Sequence, residues 1–152
     1  MGLDTTHDCW HGAYSGFTRF REVVGRAAGL PYIIPSDPDH WSHGRPVLDF
    51  DWDLYTLDNY QGRWRKKDPV WRRPDDIYGI PKQDDVLYLL IHSDCDGELR
   101  RGYLPRLKAR LEELEPEYER LANDDDYLRG RLRTFIEGLG RAIDAGEHVR
   151  FG

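Results

Sequence analysis

Two short segments hold the residue types that do chemistry: His7-Asp8-Cys9-Trp10-His11 near the start, and His92-Ser93-Asp94-Cys95-Asp96-Gly97-Glu98 far downstream. Together they contain both cysteines and three of the six histidines, with an aspartate directly before each cysteine. Thiolate and imidazole are the ligands tetrahedral zinc prefers. Cys9, Cys95, His92 and His11, or His7 in its place, make a Cys₂His₂ set with Asp8 and Asp94 as acceptors behind the ligands. In a metal-assisted hydrolase Cys9, Cys95 and His92 would hold the zinc, and Asp8, Asp94 or His11 would act on the bound water. A second chemistry is a thiol nucleophile, Cys9 or Cys95, with His7, His11 or His92 as its base. The third is recognition without turnover. Trp10 and Tyr14 offer rings to stack on a base, and Thr5, Thr6, His7, Asp8, His11, His92, Ser93, Asp94 and Asp96 offer polar groups to a ribose or base edge.

None of these arrangements is a recognised module. There is no CxxC or HExxH, no nucleophile elbow, no Gly-rich phosphate loop and no dinucleotide fingerprint. Asp94-Cys95-Asp96-Gly97 resembles part of a calcium loop, but an EF-hand loop in that register would begin at His92 and end at Tyr103, neither of them a carboxylate. A tight turn with Gly97 at positive φ explains the same residues. Each cysteine taken alone reads first as packing, since free cysteine is among the most buried residue types. His7 and His11, four apart, either share a helix face or cap a helix start. His40 and His43 around Trp41 read as exposed loop residues.

The elements that must position these segments follow from periodicity. Phe17, Phe20, Val24 and Ala27 recur at helical spacing, which predicts an amphipathic helix from Ala13 to Ala28 closed by Gly29 and Pro31, with Arg19, Arg21 and Arg26 away from its apolar stripe. Leu48, Phe50, Trp52 and Leu54 alternate with aspartates and predict a strand within 47–55. Residues 86–91 read as either a buried strand or a short helix begun by Asp84-Asp85, with helix preferred because Pro81 and the acidic pair suit a helix start and leucine outnumbers β-branched residues there. Leu104, Leu107, Leu111, Leu114 and Tyr118 mark a further helix that Pro116 is expected to kink or interrupt. Asp124-Asp125-Asp126 is expected to cap the last helix, whose inner face is Tyr127 or Leu128, Leu132, Phe135 or Ile136, Leu139 and Ile143 and which Gly146 ends. A terminal strand is expected within 148–151. Packing the first helix against 86–91 would bring the two polar segments to one end of the core.

With 152 residues the chain suits one domain, and disulfide staples are unnecessary at that size. The expected fold class is α+β, a mainly helical single domain with a small antiparallel sheet and a long ordered central loop region. A formal charge of −6 argues against nonspecific nucleic-acid binding, which needs a basic surface. Tryptophans and basic residues between Arg63 and Arg73 mark a local exception suited to an anionic or protein partner, or to plain solvated loop charges. The longest apolar run is too short for a bilayer, and Met1-Gly2-Leu3-Asp4 lacks a basic start and apolar middle, so the expectation is no membrane association, a cytoplasmic location and reduced thiols.

Gly2-Leu-Asp-Thr-Thr-His-Asp-Cys-Trp-His-Gly-Ala-Tyr-Ser15, together with His92-Ser-Asp-Cys-Asp-Gly-Glu98, resembles an uncharacterised family of small proteins from bacteriophages and bacterial, often actinobacterial, genomes. The resemblance covers the first helix and the turn at 92–98, and assigns no role to residues 31–85 or to the end of the chain. Its phage setting is similar to that of accessory proteins that blunt host defence, some by sequestering nucleotide signals. What it implies is a binding protein, acting in the host-cell cytoplasm if phage-encoded. Such a protein would hold a small nucleotide-like ligand or dock a host defence protein through the two segments, and a homo-oligomer is compatible with either. The alternative is a zinc-assisted hydrolase on the same Cys/His/Asp cluster, and a structural phage component using residues 64–73 ranks third.

Overall fold

Helical periodicity governs most of the architecture. The computed structural model describes residues 2–49, 84–90, 92 and 97–152. The expected strand beyond Asp49, the basic stretch between Arg63 and Arg73, and Ser93, Asp94, Cys95 and Asp96 lie outside the described residues. The elements are β1 (Gly2–Asp4), a 3₁₀ turn (Thr6–Asp8), β2 (His11–Ala13), α1 (Tyr14–Ala27), β3 (Tyr32–Ile33) and β4 (Val47–Leu48). They continue with α2 (Leu87–Leu90), β5 (Glu98–Leu99), a 3₁₀ turn (Arg101–Tyr103), α3 (Leu104–Leu121), α4 (Arg131–Ala145) and β6 (Val149–Arg150). The fold is mixed α+β and mainly helical. Where one small sheet was expected, the strands form separate antiparallel ribbons, β1 with β2, β3 with β4 and β5 with β6.

α1 ends as its sequence dictates. Gly29 takes φ 82°, and the amides of Ala28, Gly29 and Leu30 bond back to Val24, Arg26 and Gly25. Asp84 starts α2 by accepting from the Val86 amide at 3.0 Å while Arg110 grips its carboxylate with two bonds. All four α2 residues are buried, as befits a helix apolar all round. α3 runs through Pro116 without interruption. Pro116 is solvent-exposed, and Leu114 and Tyr118 on either side are buried, so packing on both sides of it keeps the helix continuous.

Two expectations fail locally. Asp125 does not cap α4: its Oδ1 accepts from the amides of Tyr127 and Leu128 in the preceding turn, and Gly130 at φ 78° leads into α4. Arg21, placed on the outer face by periodicity, is 7% exposed. Its guanidinium lies over Phe17 and donates to the carbonyls of Leu90 and His92 at the end of α2, which a helix four residues long leaves without internal partners.

The core joins α1, α2, α3 and α4 around an aromatic cluster. Phe20 lies 5.4 Å from Phe135, 5.8 Å from Tyr118 and 5.1 Å from Trp10, ring centre to ring centre. The two ends of the chain meet beside it: Thr5 bridges Phe151, and the Gly152 amide donates to Asp4. Phe151 also carries the His92 ring at 4.4 Å, which places the head of the second polar segment beside the residue that bridges Thr5.

Candidate functional site

The first polar segment is divided by the fold. Cys9 is 1% exposed, and its Sγ and backbone are pressed against α4 at Gly138, where an added Cβ would come within 2.6–2.8 Å of Cys9 atoms. Burial pushes its thiol up to about 12, against the smaller opposing effects of a hydrogen bond with Thr5 and the charge of Arg141. A thiol so placed stays protonated at neutral pH, which removes the thiolate that nucleophilic attack needs. Trp10, also 1% exposed, has its ring 5.1 Å from Phe17 and Phe20, and the Arg131 guanidinium lies 4.9 Å from its centre. No ring face is left for a base. Tyr14 is partly buried against the same cluster.

His11 and Asp4 are register partners across β1 and β2 and bond through Nδ1 and Oδ1, with the His11 side chain 90% exposed. Asp8 is exposed, and His92 is buried on Phe151. The four proposed zinc ligands therefore meet different surroundings: a core thiol, a solvated imidazole, an imidazole packed on a ring, and Cys95, which is outside the described residues. Among the described residues, no three His, Cys, Asp or Glu side chains gather as a metal would need.

His7 goes elsewhere. It and Asp8 adopt left-handed backbone conformations, φ 61° and φ 55°, each costing about 1–2 kcal/mol in a residue with a Cβ. The surrounding structure holds them there: Arg141 on α4 donates from Nε and Nη2 to the His7 carbonyl at 3.0 and 2.7 Å. The turn directs Thr6 and His7 into a cleft of about 470 Å³, whose other walls are Arg101, Gly146, Glu147, His148 and Arg150.

Three distant stretches build this cleft, and hydrogen bonds fix them to one another. The Arg150 amide donates to Thr6 Oγ1 at 2.9 Å, tying β6 to the N-terminal turn. The Arg101 amide donates to His148 Nδ1 at 2.8 Å, and Arg101 Nη1 reaches the Gly146 carbonyl at 3.2 Å. His7 Nε2 stands 3.8 Å from Glu147. Because the Nδ1 lone pair of His148 is engaged, its ring presents Nε2–H, a donor edge without a lone pair for general-base work. The arrangement can bind an acceptor-rich ligand, and among the described residues no cysteine lines it.

A larger concavity of about 530 Å³ lies between Ala28, Asp84, Asp85 and α3. Its charges are matched internally, Arg110 with Asp84 and Glu113, and Arg106 with Asp85 at 3.3 Å. It reads as a structural ion-pair network.

Residue types and spacing singled out His7 and Thr6, but not Arg101, Glu147, His148 or Arg150. The only trace of them in the sequence is a concentration of basic residues at 100–101 and 148–150, next to the segments that pair as β5 and β6. Comparison with known proteins returns no matching family model, no matching curated protein and no matching solved structure. Among the described residues, no helix is long and apolar enough to cross a membrane.

Proposed function

We propose that the chain is a binding protein that holds a small nucleotide-like ligand, without turnover, in the cleft between the N-terminal turn and β6. The observation that carries this reading is the cleft itself: polar side chains from three stretches converge on a volume within the usual range for small-molecule sites, about 300–1,000 Å³. The strained His7-Asp8 turn supports it, since left-handed residues persist where the surrounding structure over-determines them and concentrate at ligand sites. The resemblance to phage proteins makes sequestration of a host signal the matching role.

The zinc-assisted hydrolase is the weaker reading, because Cys9 packs in the core against Gly138 while His11 is solvent-exposed, and no three candidate ligands gather among the described residues. The docking of a host defence protein has its own support: Tyr32, Ile33, Ile34 and Trp41 on and beside the β3–β4 ribbon are all exposed. The deciding experiment incubates the protein with a nucleotide, denatures it and identifies what is released. Intact nucleotide, bound in proportion to protein and lost in His148→Ala, is the expected result. A cleaved product transfers the assignment to a hydrolase, and binding that survives His148→Ala removes the cleft from it.

A further inference from the structure

We infer that the cleft recognises its ligand by a terminal phosphate, held between the guanidinium groups of Arg101 and Arg150. This rests on the reading of the cleft as the ligand site and names the part of the ligand that the site reads. Among its described residues the cleft has no phenylalanine, tyrosine or tryptophan, and Trp10 is enclosed by Phe17 and Phe20, so apart from the His7 and His148 rings recognition rests on charge and hydrogen bonding.

Both arginines retain positive charge for a ligand. Arg101 bonds only a neutral carbonyl, that of Gly146. The Arg150 Nε lies 3.7 Å from Glu98, a carboxylate that also has Arg100 4.0 Å away, so one negative charge serves two guanidinium groups. Each fork can offer parallel N–H donors to a tetrahedral anion, and guanidinium is the side chain best matched to phosphate in shape. His148 adds an Nε2–H donor, because its other nitrogen is occupied.

Glu147 is the one carboxylate among the described residues of the cleft, and it lies on the His7 side, 3.8 Å from Nε2. Two cationic forks match the two charges of a phosphomonoester better than the one charge of a phosphodiester. Linear nucleotides with a free terminal phosphate are therefore preferred over cyclic ones. The protein's net charge of −6 opposes anions at long range, so affinity comes from these close contacts, with little steering.

Calorimetric titration of the intact protein with adenosine 5′-monophosphate, inorganic phosphate, adenosine and a cyclic adenosine phosphodiester tests this. The monophosphate binds, inorganic phosphate competes with it, and adenosine does not bind. Arg101→Gln and Arg150→Gln each weaken the monophosphate by about tenfold or more, the loss expected for one charge-assisted contact. Arg133→Gln, whose side chain pairs with Glu115 on the outer face of α4, leaves affinity unchanged. Thermal midpoints of the free variants confirm that each one folds, and Arg150→Gln decides the matter if loss of the Arg101 bond to Gly146 unfolds the other.

If adenosine binds as tightly as the monophosphate, and loses affinity in His148→Ala but in neither arginine variant, the phosphate inference falls and the cleft remains a ligand site. If the diester binds more tightly than the monoester, the terminal-phosphate assignment is overturned. Binding untouched by all three cleft variants, or no binding by any probe, overturns the inference and the cleft reading together.

Discussion

Cys9-Trp10 and Thr6-His7 belong to one polar segment, yet the fold uses them in opposite ways. Cys9 and Trp10 are core: a thiol against Gly138 and an indole among phenylalanines. Thr6 and His7 open into a cleft lined by arginines and a second histidine. The left-handed pair His7-Asp8 separates the halves, because reversing the backbone there allows one end of the segment to enter the core while the other faces outward. Residue types of equal chemical promise thus acquire different roles from burial, which suppresses the reactivity of the thiol and leaves the imidazole usable.

The strongest way to break this contrast is Trp10→Ala. Loss of an enclosed indole that touches Phe17 and Phe20 is expected to cost about 3–5 kcal/mol, read from the urea midpoint. An unchanged midpoint would show that Trp10 is available for a ligand. Next comes Gly138→Ala, whose new Cβ would lie 2.7 and 2.8 Å from backbone atoms of Cys9. Backbone cannot rotate out of the way as a side chain can, so overpacking should cost about 1–3 kcal/mol. A stabilised variant, gaining only helix propensity, would mean that Cys9 is loosely held.

His7→Gly should act in the opposite direction on stability. Glycine takes φ 61° without the steric cost, so the fold gains about 0.5–1 kcal/mol while ligand affinity falls with loss of the imidazole. Loss of both would mean that the imidazole is structural, which would merge the two halves of the segment.

The smallest effect is a slope with pH at Glu22. This buried carboxyl is raised above 4.5 by desolvation, against the opposing hydrogen bond from the Leu48 amide. A carboxyl raised in the folded state binds more protons there than in the unfolded chain. Stability should therefore decline as pH rises from 4.5 through the raised value. Glu22→Gln should lose that decline relative to the parent when denaturant midpoints are compared across pH, and parallel profiles would show that the carboxyl is effectively solvated.

The helices and the core were legible in the residues alone. Phe17, Phe20, Val24, Leu107, Leu111, Leu132, Phe135 and Ile136 are all buried, because an apolar residue every third or fourth position defines a helix face without knowledge of its neighbours. The caps at Gly29 and Gly146 and the positive φ at Gly97 are local for the same reason. Arg21 escaped the periodic argument because its partners, the carbonyls ending α2, come from far along the chain.

The cleft was illegible for that reason on a larger scale. Thr6, Arg101 and Arg150 become neighbours only when β5 pairs with β6 and Phe151 reaches Thr5. Hydrophobic periodicity is set within a few residues along the chain, so the sequence by itself determined the helices, their inward faces and the glycine stops at Gly29 and Gly146, but not the start of α4 after Gly130. Burial and electrostatic neighbourhood depend on which distant segments meet, so only the tertiary structure decided that Cys9 is packing and that His7 faces arginines.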